Sequence, residues 1–283
     1  MIISKVTRLL YYLAVSFFFL IHTKKNITVI TGMRRSGNHA FINWFVSALE
    51  NQKTTLSIYD KGDEHALISE TGKTIFINEA NWRGYSFYFQ LLLKLNQEFK
   101  KANNIIISLE DYTPNKYFDP YIPYNSKKTV ITRSTLNIIS SRLTRSKKQA
   151  EDGLDRGDMA INKEFINRLK WILHSSAQDG WENWNYDLWL DNINKYREHF
   201  LDKFNLTTDI NPEISFHGGG SSFSGNTKVP STEVLKNRWK EVTLPQRVIE
   251  LLLEESNKTL LSNEDITLLK SKYESKKEIE HKL

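Results

Sequence analysis

The feature that most constrains this chain is a short apolar run, residues 27–31, that breaks into a turn rich in glycine and arginine and resumes with helical spacing at residues 38–50. The pattern predicts a strand, a loop and a helix. Gly32 and Gly37 bracket four residues, the glycine spacing of loops that bind nucleotide phosphates through backbone N–H groups and a helix N-terminus. We therefore expect an anion site at this loop.

The residues after the second glycine narrow the choice of ligand. ATPases and kinases place Lys and then Ser or Thr there, one for the terminal phosphates and one for Mg²⁺, whereas this chain has Asn38 and His39. The loop instead carries its cations inside, as Arg34 and Arg35. The pattern predicts a phosphate-bearing ligand held without the usual metal, and we expect no metal site.

Length and composition limit the class of protein. With 283 residues the chain can bury one substantial core, and we expect a single domain at residues 26–283 after an apolar segment at residues 1–25. The formal net charge of +6 is dispersed, which favours small anionic ligands or an anionic membrane face over nucleic acid. The absence of cysteine excludes disulfides, thiolate zinc sites and cysteine nucleophiles.

The amino-terminal segment is almost unbroken in its apolar character at residues 9–21, with Lys5 and Arg8 before it and Lys24 and Lys25 after it. A helix of this length spans about 20 Å, which is short of the ~30 Å hydrocarbon core of a bilayer. No small-residue cleavage pattern precedes Lys24, so a secretory signal does not fit. Two alternatives stay open, a helix on a membrane surface and a helix packed into the core.

Apolar or β-branched runs alternate with helical patterns along the rest of the chain. Strands are predicted at about residues 27–31, 54–59, 74–78, 105–109 and 129–132, and helices at about residues 38–50, 85–100, 136–143, 165–173, 188–204 and 244–253. Such alternation is typical of a three-layer α/β/α fold with a central parallel sheet. Ligands of these folds bind beyond the carboxyl ends of the strands, where the loop at Gly32 lies.

An aromatic cluster follows the predicted helices of the middle region. It consists of Trp181, Trp184, Tyr186 and Trp189. Aromatic side chains of this kind can stack on the face of a sugar, but they more often belong to the core. We expect core packing here.

The loop resembles that of the sulfotransferases that use 3′-phosphoadenosine-5′-phosphosulfate (PAPS). In that family a first strand enters a loop with a basic residue before Ser-Gly-Thr. Here the sequence Arg35-Ser36-Gly37-Asn38 has Arg for the common Lys and Asn for Thr. The resemblance implies a P-loop nucleotide-binding fold of the sulfotransferase type, with PAPS as the cofactor.

Two further segments carry the resemblance. In the family a strand ends in Arg and the following helix holds a Ser eight residues later, and both bind the 3′-phosphate; Arg133 and Ser141 match. This spacing lets a guanidinium and a hydroxyl converge on one phosphate. The glycine- and serine-rich run at residues 217–225, followed by Arg238 and Trp239, resembles the carboxyl-terminal loop of some bacterial members.

The resemblance implies a set of cofactor-binding residues. They are Gly32, Arg34, Arg35, Ser36, Gly37, Asn38, His39, Arg133, Ser141, Gly219, Gly220, Ser221 and Ser222. It also implies catalytic roles for Arg35, beside the departing phosphate, and for a Glu or His that accepts the acceptor's proton. Glu79, at the end of an early strand, is the first candidate for that base and His39 the second. The alternative for Glu79 is a structural carboxylate paired with Arg83.

The resemblance implies an enzyme that moves a sulfuryl group from PAPS to a hydroxyl or amine, and we expect a carbohydrate or related surface glycan as the acceptor. A phosphotransferase stays open, because the strand at residues 105–109 ends in Glu110 and Asp111, as in the metal-holding element of ATPases. A non-catalytic membrane-associated protein that binds nucleotide or glycan also stays open. We expect the protein in the cytoplasm, bound peripherally to the cytoplasmic face of a membrane through residues 9–21.

Overall fold

The computed structural model describes residues 5–22, 24–60, 63–81, 83–114, 119–151, 160–175, 180–210 and 232–280. The strands are β1 (Asn26–Gly32), β2 (Leu56–Asp60), β3 (Asp63–Ser69), β4 (Thr74–Ile77), β5 (Asn104–Glu110), β6 (Lys127–Thr132) and β7 (Glu182–Asn185). The helices are α1 (Lys5–Leu20), α2 (Asn38–Glu50), α3 (Gly84–Lys94), α4 (Asn96–Lys101), α5 (Thr135–Glu151), α6 (Lys163–Lys170), α7 (Tyr186–Asp191), α8 (Ile193–Phe204), α9 (Thr232–Asn237), α10 (Gln246–Leu253) and α11 (Asn263–Glu280). A π-helical turn, Trp171–Ser175, continues α6.

The seven strands form one sheet in the order β2-β3-β4-β5-β1-β6-β7. The five strands from β4 to β7 in this order pair in parallel, and β2 and β3 add an antiparallel edge. The central strands are apolar and β-branched because helices cover both of their faces. The predicted α/β/α architecture with a mainly parallel sheet is confirmed.

Two strands toward the ends of the sheet, β3 and β7, were absent from the sequence prediction. The strand β3 begins with Asp63, Glu64 and His65, and β7 is the polar sequence Glu-Asn-Trp-Asn. Strands near an edge need fewer apolar residues, because less of their surface is covered. Pairing with neighbours, rather than local pattern, decides that these segments are extended.

The side chains of the central strands alternate between two cores. On β1, Val29 belongs to the core that α1, α3, α4, α5 and α10 cover, whereas Ile30 belongs to the core that α2 and α8 cover. This period of two is the geometry of a strand. The site therefore rests on a sheet that is packed on both faces.

Two of the predicted helices are each divided in two. The predicted helix at residues 85–100 is interrupted at Leu95, between α3 and α4. The predicted helix at residues 188–204 is interrupted at Asn192, whose side chain accepts a hydrogen bond from the Lys195 N–H and so caps α8. An Asn at an N-cap satisfies a backbone donor that the helix cannot.

The amino-terminal helix α1 packs one side into the core and leaves its other side exposed. Its residues Val15, Phe18 and Phe19 are buried in the core, where Phe18 meets Phe99 edge to face at 5.1 Å. Most of its other apolar side chains are exposed. No helix in the described part of the chain is long and apolar enough to cross a membrane.

The register of the sheet brings distant residues together at its carboxyl edge. Gly32, at the end of β1, pairs with Glu110 of β5 on one side and with Ile131 of β6 on the other. The strand β4 ends beside β5, two residues before Glu79. The loop after β1 therefore borders the residues that follow β4, β5 and β6.

Candidate functional site

The loop between β1 and α2 is shaped by residues with positive φ. Arg35 has a φ of 77° and Gly37 a φ of 102°, and the Ser36 N–H donates to the Met33 carbonyl at 3.1 Å. Gly37 is the N-cap of α2, and no described side chain caps that helix. An uncapped helix N-terminus after a tight loop offers N–H groups and the positive end of the helix dipole to an anion.

The first glycine of the loop is required by close packing. A Cβ at Gly32 would lie 2.5 Å from Asn38 Oδ1 and 2.9 Å from Ser36 Oγ. The Ser36 hydroxyl donates to Asn38 Oδ1 at 2.8 Å, and the Asn38 amide donates to Glu110 Oε1 at 2.8 Å. These buried side chains fasten the loop to β5, and the Ser36 N–H is taken up by the Met33 carbonyl, so we expect Asn38 to meet an anion through its backbone N–H group.

The second glycine lies against an aromatic ring. A Cβ at Gly37 would be 2.3 Å from the ring of Tyr186. The Arg133 guanidinium carbon lies 4.8 Å from the centroid of the same ring, and Arg133 also donates to the Arg35 carbonyl at 3.1 Å. Its Nε lies 3.9 Å from Asp187 Oδ1. Ring, carbonyl and carboxylate together hold Arg133 beside the loop.

Arg35 lies at the centre of a group of arginines. Its Nε donates to Ser141 Oγ at 3.1 Å, so the loop and α5 meet at this contact. Burial lowers the pKa of Arg35, the positive charges of Arg145, Arg133 and Arg142 lower it further, and the negative charge of Glu110 partly offsets them. Positive charge concentrated in a buried corner is stabilised by a multiply charged anion.

The other arginine of the loop is paired with acids. Arg34 Nη2 lies 2.7 Å from Glu79 Oε2, and its Nε lies 3.5 Å from Glu110 Oε2. The Arg34 side chain is buried. Because two carboxylates offset its charge, we assign the electrostatic attraction for a ligand to Arg35 rather than to Arg34.

Glu79 occupies a setting that suits proton transfer. It follows β4 with a φ of 49°, and its side chain is 25% exposed. Burial raises the pKa of Glu79, and the charge of Glu110 raises it further, while Arg34, His65 and His39 lower it. A partly exposed carboxyl with a raised pKa at the edge of a site is a candidate general base.

The structural alternative for Glu79 named the wrong partner. The Arg83 guanidinium lies 4.9 Å from the ring centroid of Phe87, and the ion pair of Glu79 is with Arg34. His39, on the first turn of α2, is close enough for its charge to act on the Glu79 carboxyl. Both candidates for the base therefore belong to one site.

Asp111 is a member of the site that the sequence did not single out for this role. Its Oδ1 accepts from the Arg34 N–H at 2.9 Å, and its two oxygens accept from Arg142 Nη1 at 2.9 and 2.8 Å. Its φ is 50°, in a region that few non-glycine residues adopt. Asp111 ties the loop to α5. The sequence signal for Asp111 was a carboxylate directly after a buried strand, but the sequence does not identify the hydrogen-bond partners of that carboxylate.

The segment after β7 adds residues that sequence reasoning missed. Asp187 Oδ2 accepts from the Ser134 N–H at 2.6 Å and so holds the start of α5 beside Tyr186. For the predicted aromatic cluster, the core interpretation is confirmed for Trp181, Trp184 and Trp189, which are buried. Tyr186 differs because its ring covers Gly37. The sequence singled out Tyr186 only as a member of the aromatic cluster and did not single out Asp187, because the polar strand β7 that positions them was not predicted.

The carboxyl edge of the sheet thus unites most of the predicted site. The loop residues 32–39 lie beside Glu79, Arg133 and Ser141. The predicted cofactor-binding residues Gly219, Gly220, Ser221 and Ser222 lie outside the described residues, and their role stays a prediction. Within the described ranges no group of three or more His, Asp or Glu side chains could hold a metal ion.

Comparison with known proteins gives one structural likeness. The chain is similar to the sulfotransferase domain from the curacin biosynthetic pathway, with 14% sequence identity, coverage of 82% of this chain and 98% of that chain, and a TM-score of 0.42. No protein-family model matches the chain, and no curated protein matches it. We therefore infer the function from the residues of the site.

Proposed function

We propose that the protein is a sulfotransferase that uses PAPS as the donor of a sulfuryl group to a hydroxyl or amine. The observation that carries the proposal is the group of arginines beside the uncapped N-terminus of α2. Arg35 lies there within the electrostatic range of Arg145 and Arg133, and of Arg142, whose charge Asp111 offsets. A nucleotide with phosphates at two positions has the charge that such a corner needs.

The contacts suggest how the nucleotide would be held. Arg133 reaches the Arg35 carbonyl, and Arg35 reaches Ser141 Oγ, so Arg35 links the Arg133 guanidinium to the Ser141 hydroxyl. We assign Arg133 and Ser141 to the 3′-phosphate, as the resemblance of their spacing implies. We assign Arg35 and the N-terminus of α2 to the 5′-phosphate.

Bound PAPS would supply a sulfuryl group whose bond to the 5′-phosphate oxygen breaks as the acceptor's oxygen or nitrogen bonds to sulfur. Arg35 and the N-terminus of α2 would stabilise the negative charge that grows on the departing phosphate. Glu79 would accept the proton of the acceptor, and Arg34 would orient the Glu79 carboxylate through their ion pair. His39 is the second candidate for the proton acceptor.

The phosphotransferase alternative has less support. It would use Glu110 and Asp111 around a magnesium ion, but Glu110 accepts from Asn38 and Asp111 accepts from Arg142. These contacts give both carboxylates a structural role. A carbohydrate acceptor stays a prediction, as the resemblance implied it.

The direct test of the proposal is calorimetry with nucleotides. We expect 3′-phosphoadenosine-5′-phosphate to bind at least about tenfold more tightly than adenosine 5′-phosphate, because a charge-assisted hydrogen bond lost with the 3′-phosphate costs about 1.5–3 kcal/mol. Magnesium should not change either affinity. Equal affinity for the two nucleotides, or binding of ATP only with magnesium, would refute the proposal and favour a phosphotransferase.

A second measurement separates an enzyme from a binding protein. The protein would be incubated with PAPS and pooled carbohydrate, phenolic and amine acceptors, and the released 3′-phosphoadenosine-5′-phosphate would be measured. We expect release that depends on one acceptor pool and that is lost in Glu79→Gln. Tight nucleotide binding with no release from any pool would instead support the non-catalytic alternative.

A further inference from the structure

A stripe of exposed apolar side chains runs along α1 and the residue after it. In the described part of the chain, more than half of the exposed large apolar side chains lie here: Val6, Leu9, Leu10, Leu13, Phe17, Leu20 and Ile21. Phe17, for example, is 65% exposed. Their spacing of three and four residues places them on one side of a helix. We call these seven residues the α1 stripe.

The opposite side of α1 fixes its orientation. Phe18 and Phe19 are buried and both contact the ring of Phe99, at centroid distances of 5.1 and 6.0 Å. Further along the helix, Tyr11 meets Tyr85 at 6.0 Å. Rotation of α1 to cover the stripe would expose these rings, so the stripe faces outward in the folded protein.

The charged residues at the two ends of the stripe are basic. Lys5 and Lys24, at its two ends, are exposed, and the first acidic residue of the chain is Glu50. The Lys25 ammonium donates to the carbonyls of Lys100 and Ala102, which brings the basic end of α4 next to the end of α1. An apolar helix face with cations at its ends matches the surface of a bilayer, which has an apolar interior and can carry anionic headgroups.

We propose that the α1 stripe docks on the surface of an anionic lipid bilayer, with the helix lying in the plane of the interface. Sixteen residues give a helix of about 24 Å, and one side of that helix is occupied by the protein core, so only the stripe is available for lipid. A second copy of the chain is the less suitable occupant, because symmetric pairing of two stripes brings basic ends of the same sign together.

The proposal can be tested by cosedimentation of the full chain with vesicles of phosphatidylcholine, with and without phosphatidylserine. We expect binding to the anionic vesicles and little to the neutral ones. The double variant L13Q/F17Q should lower the partition coefficient at least about tenfold, because each large side chain loses apolar burial. Lys5→Gln and Lys24→Gln should each lower it about fivefold.

A matched control removes the same kind of side chain elsewhere. Leu188 and Ile193 are 55% and 37% exposed and lie on α7 and α8, which pack on the other face of the sheet from α1, so L188Q/I193Q should bind vesicles like the unaltered protein. Thermal unfolding of both double variants should be unchanged, which would show that the stripe is not needed for folding. Nucleotide affinity, measured in the same preparations, should also be unchanged whether or not the protein is a sulfotransferase.

Three results would overturn the proposal. One is the absence of vesicle binding by the unaltered protein. Another is equal loss of binding in L13Q/F17Q and in the control variant. The last is a dimer that L13Q/F17Q converts to a monomer without any vesicle binding, which would identify a second copy of the chain as the occupant of the stripe.

Discussion

The helices α1 and α2 are both rich in apolar residues, yet α2 buries nine of its thirteen residues and α1 buries three of its sixteen. The difference is one of position. The helix α2 lies against the sheet, where α8 and Trp184 enclose it, whereas α1 packs at the rim against α3 and α4. Apolar composition therefore does not distinguish a helix that supports a site from a helix that offers a surface.

The largest effect that we expect concerns the site at the start of α2. Glu79→Gln keeps size and hydrogen bonding but cannot accept a proton, so turnover should fall by about 10²–10⁴ with nucleotide affinity retained. Arg83→Gln is the control, because Arg83 lies over Phe87 instead of in the ion pair. The assignment fails if Glu79→Gln is fully active, and His39 is then the base to test.

The two helices should differ sharply when each loses a phenylalanine. Phe41 of α2 is fully buried, so Phe41→Ala should lower the free energy of unfolding by about 3–5 kcal/mol. Phe17 of α1 is largely exposed, so Phe17→Ala should change it by no more than about 0.5 kcal/mol. Denaturant unfolding measures both. Similar losses in the two variants would mean that the α1 stripe is covered by another part of the protein.

Substitutions of Arg133, beside the loop, and of Arg35, within it, should have different effects on nucleotide binding and on turnover. Arg133→Ala should weaken nucleotide binding by about 1.5–3 kcal/mol, since we assign Arg133 to an anchoring contact. Arg35→Ala should lower turnover more than affinity, because its interaction grows as charge develops on the leaving phosphate. Calorimetry measures the nucleotide affinity and initial rates measure the turnover, both on the same preparations. A change in affinity alone, in equal proportion for both variants, would remove the distinction.

The smallest effect is a dependence on pH. Burial raises the pKa of Glu79, so turnover should rise with pH through a value above the usual glutamate pKa of about 4.3. The sign for stability is opposite. A carboxyl whose pKa is raised in the folded state contributes stability that is present below about pH 4.3 and is lost as pH rises through the raised value. Glu79→Gln should remove the dependence of turnover and reduce that of stability, because burial also raises the pKa of Glu110 and of Asp187; if the dependence of turnover persists unchanged, another group is responsible for it.

Local pattern was sufficient for much of the fold. The loop after β1, the parallel central strands and most of the helices follow from glycine spacing, apolar runs and helical periodicity, because these signals lie within a few neighbouring residues. The antiparallel strand β3 and the polar strand β7 were not predicted, because pairing with neighbouring strands rather than composition makes them strands. Because β7 was not predicted, the position of Tyr186, which covers Gly37, could not be predicted either.

The sequence by itself determined the chemical character of the site: two glycines, two arginines between them, and an Arg and a Ser eight residues apart on a later strand and helix. Only the tertiary structure decided which charges remain for a ligand. Arg34 is offset by Glu79, 45 residues away, and its N–H is held by Asp111, 77 residues away. The outward side of α1 was likewise decided by packing. Partners so distant in sequence are chosen by sheet register and by burial, which no local pattern records.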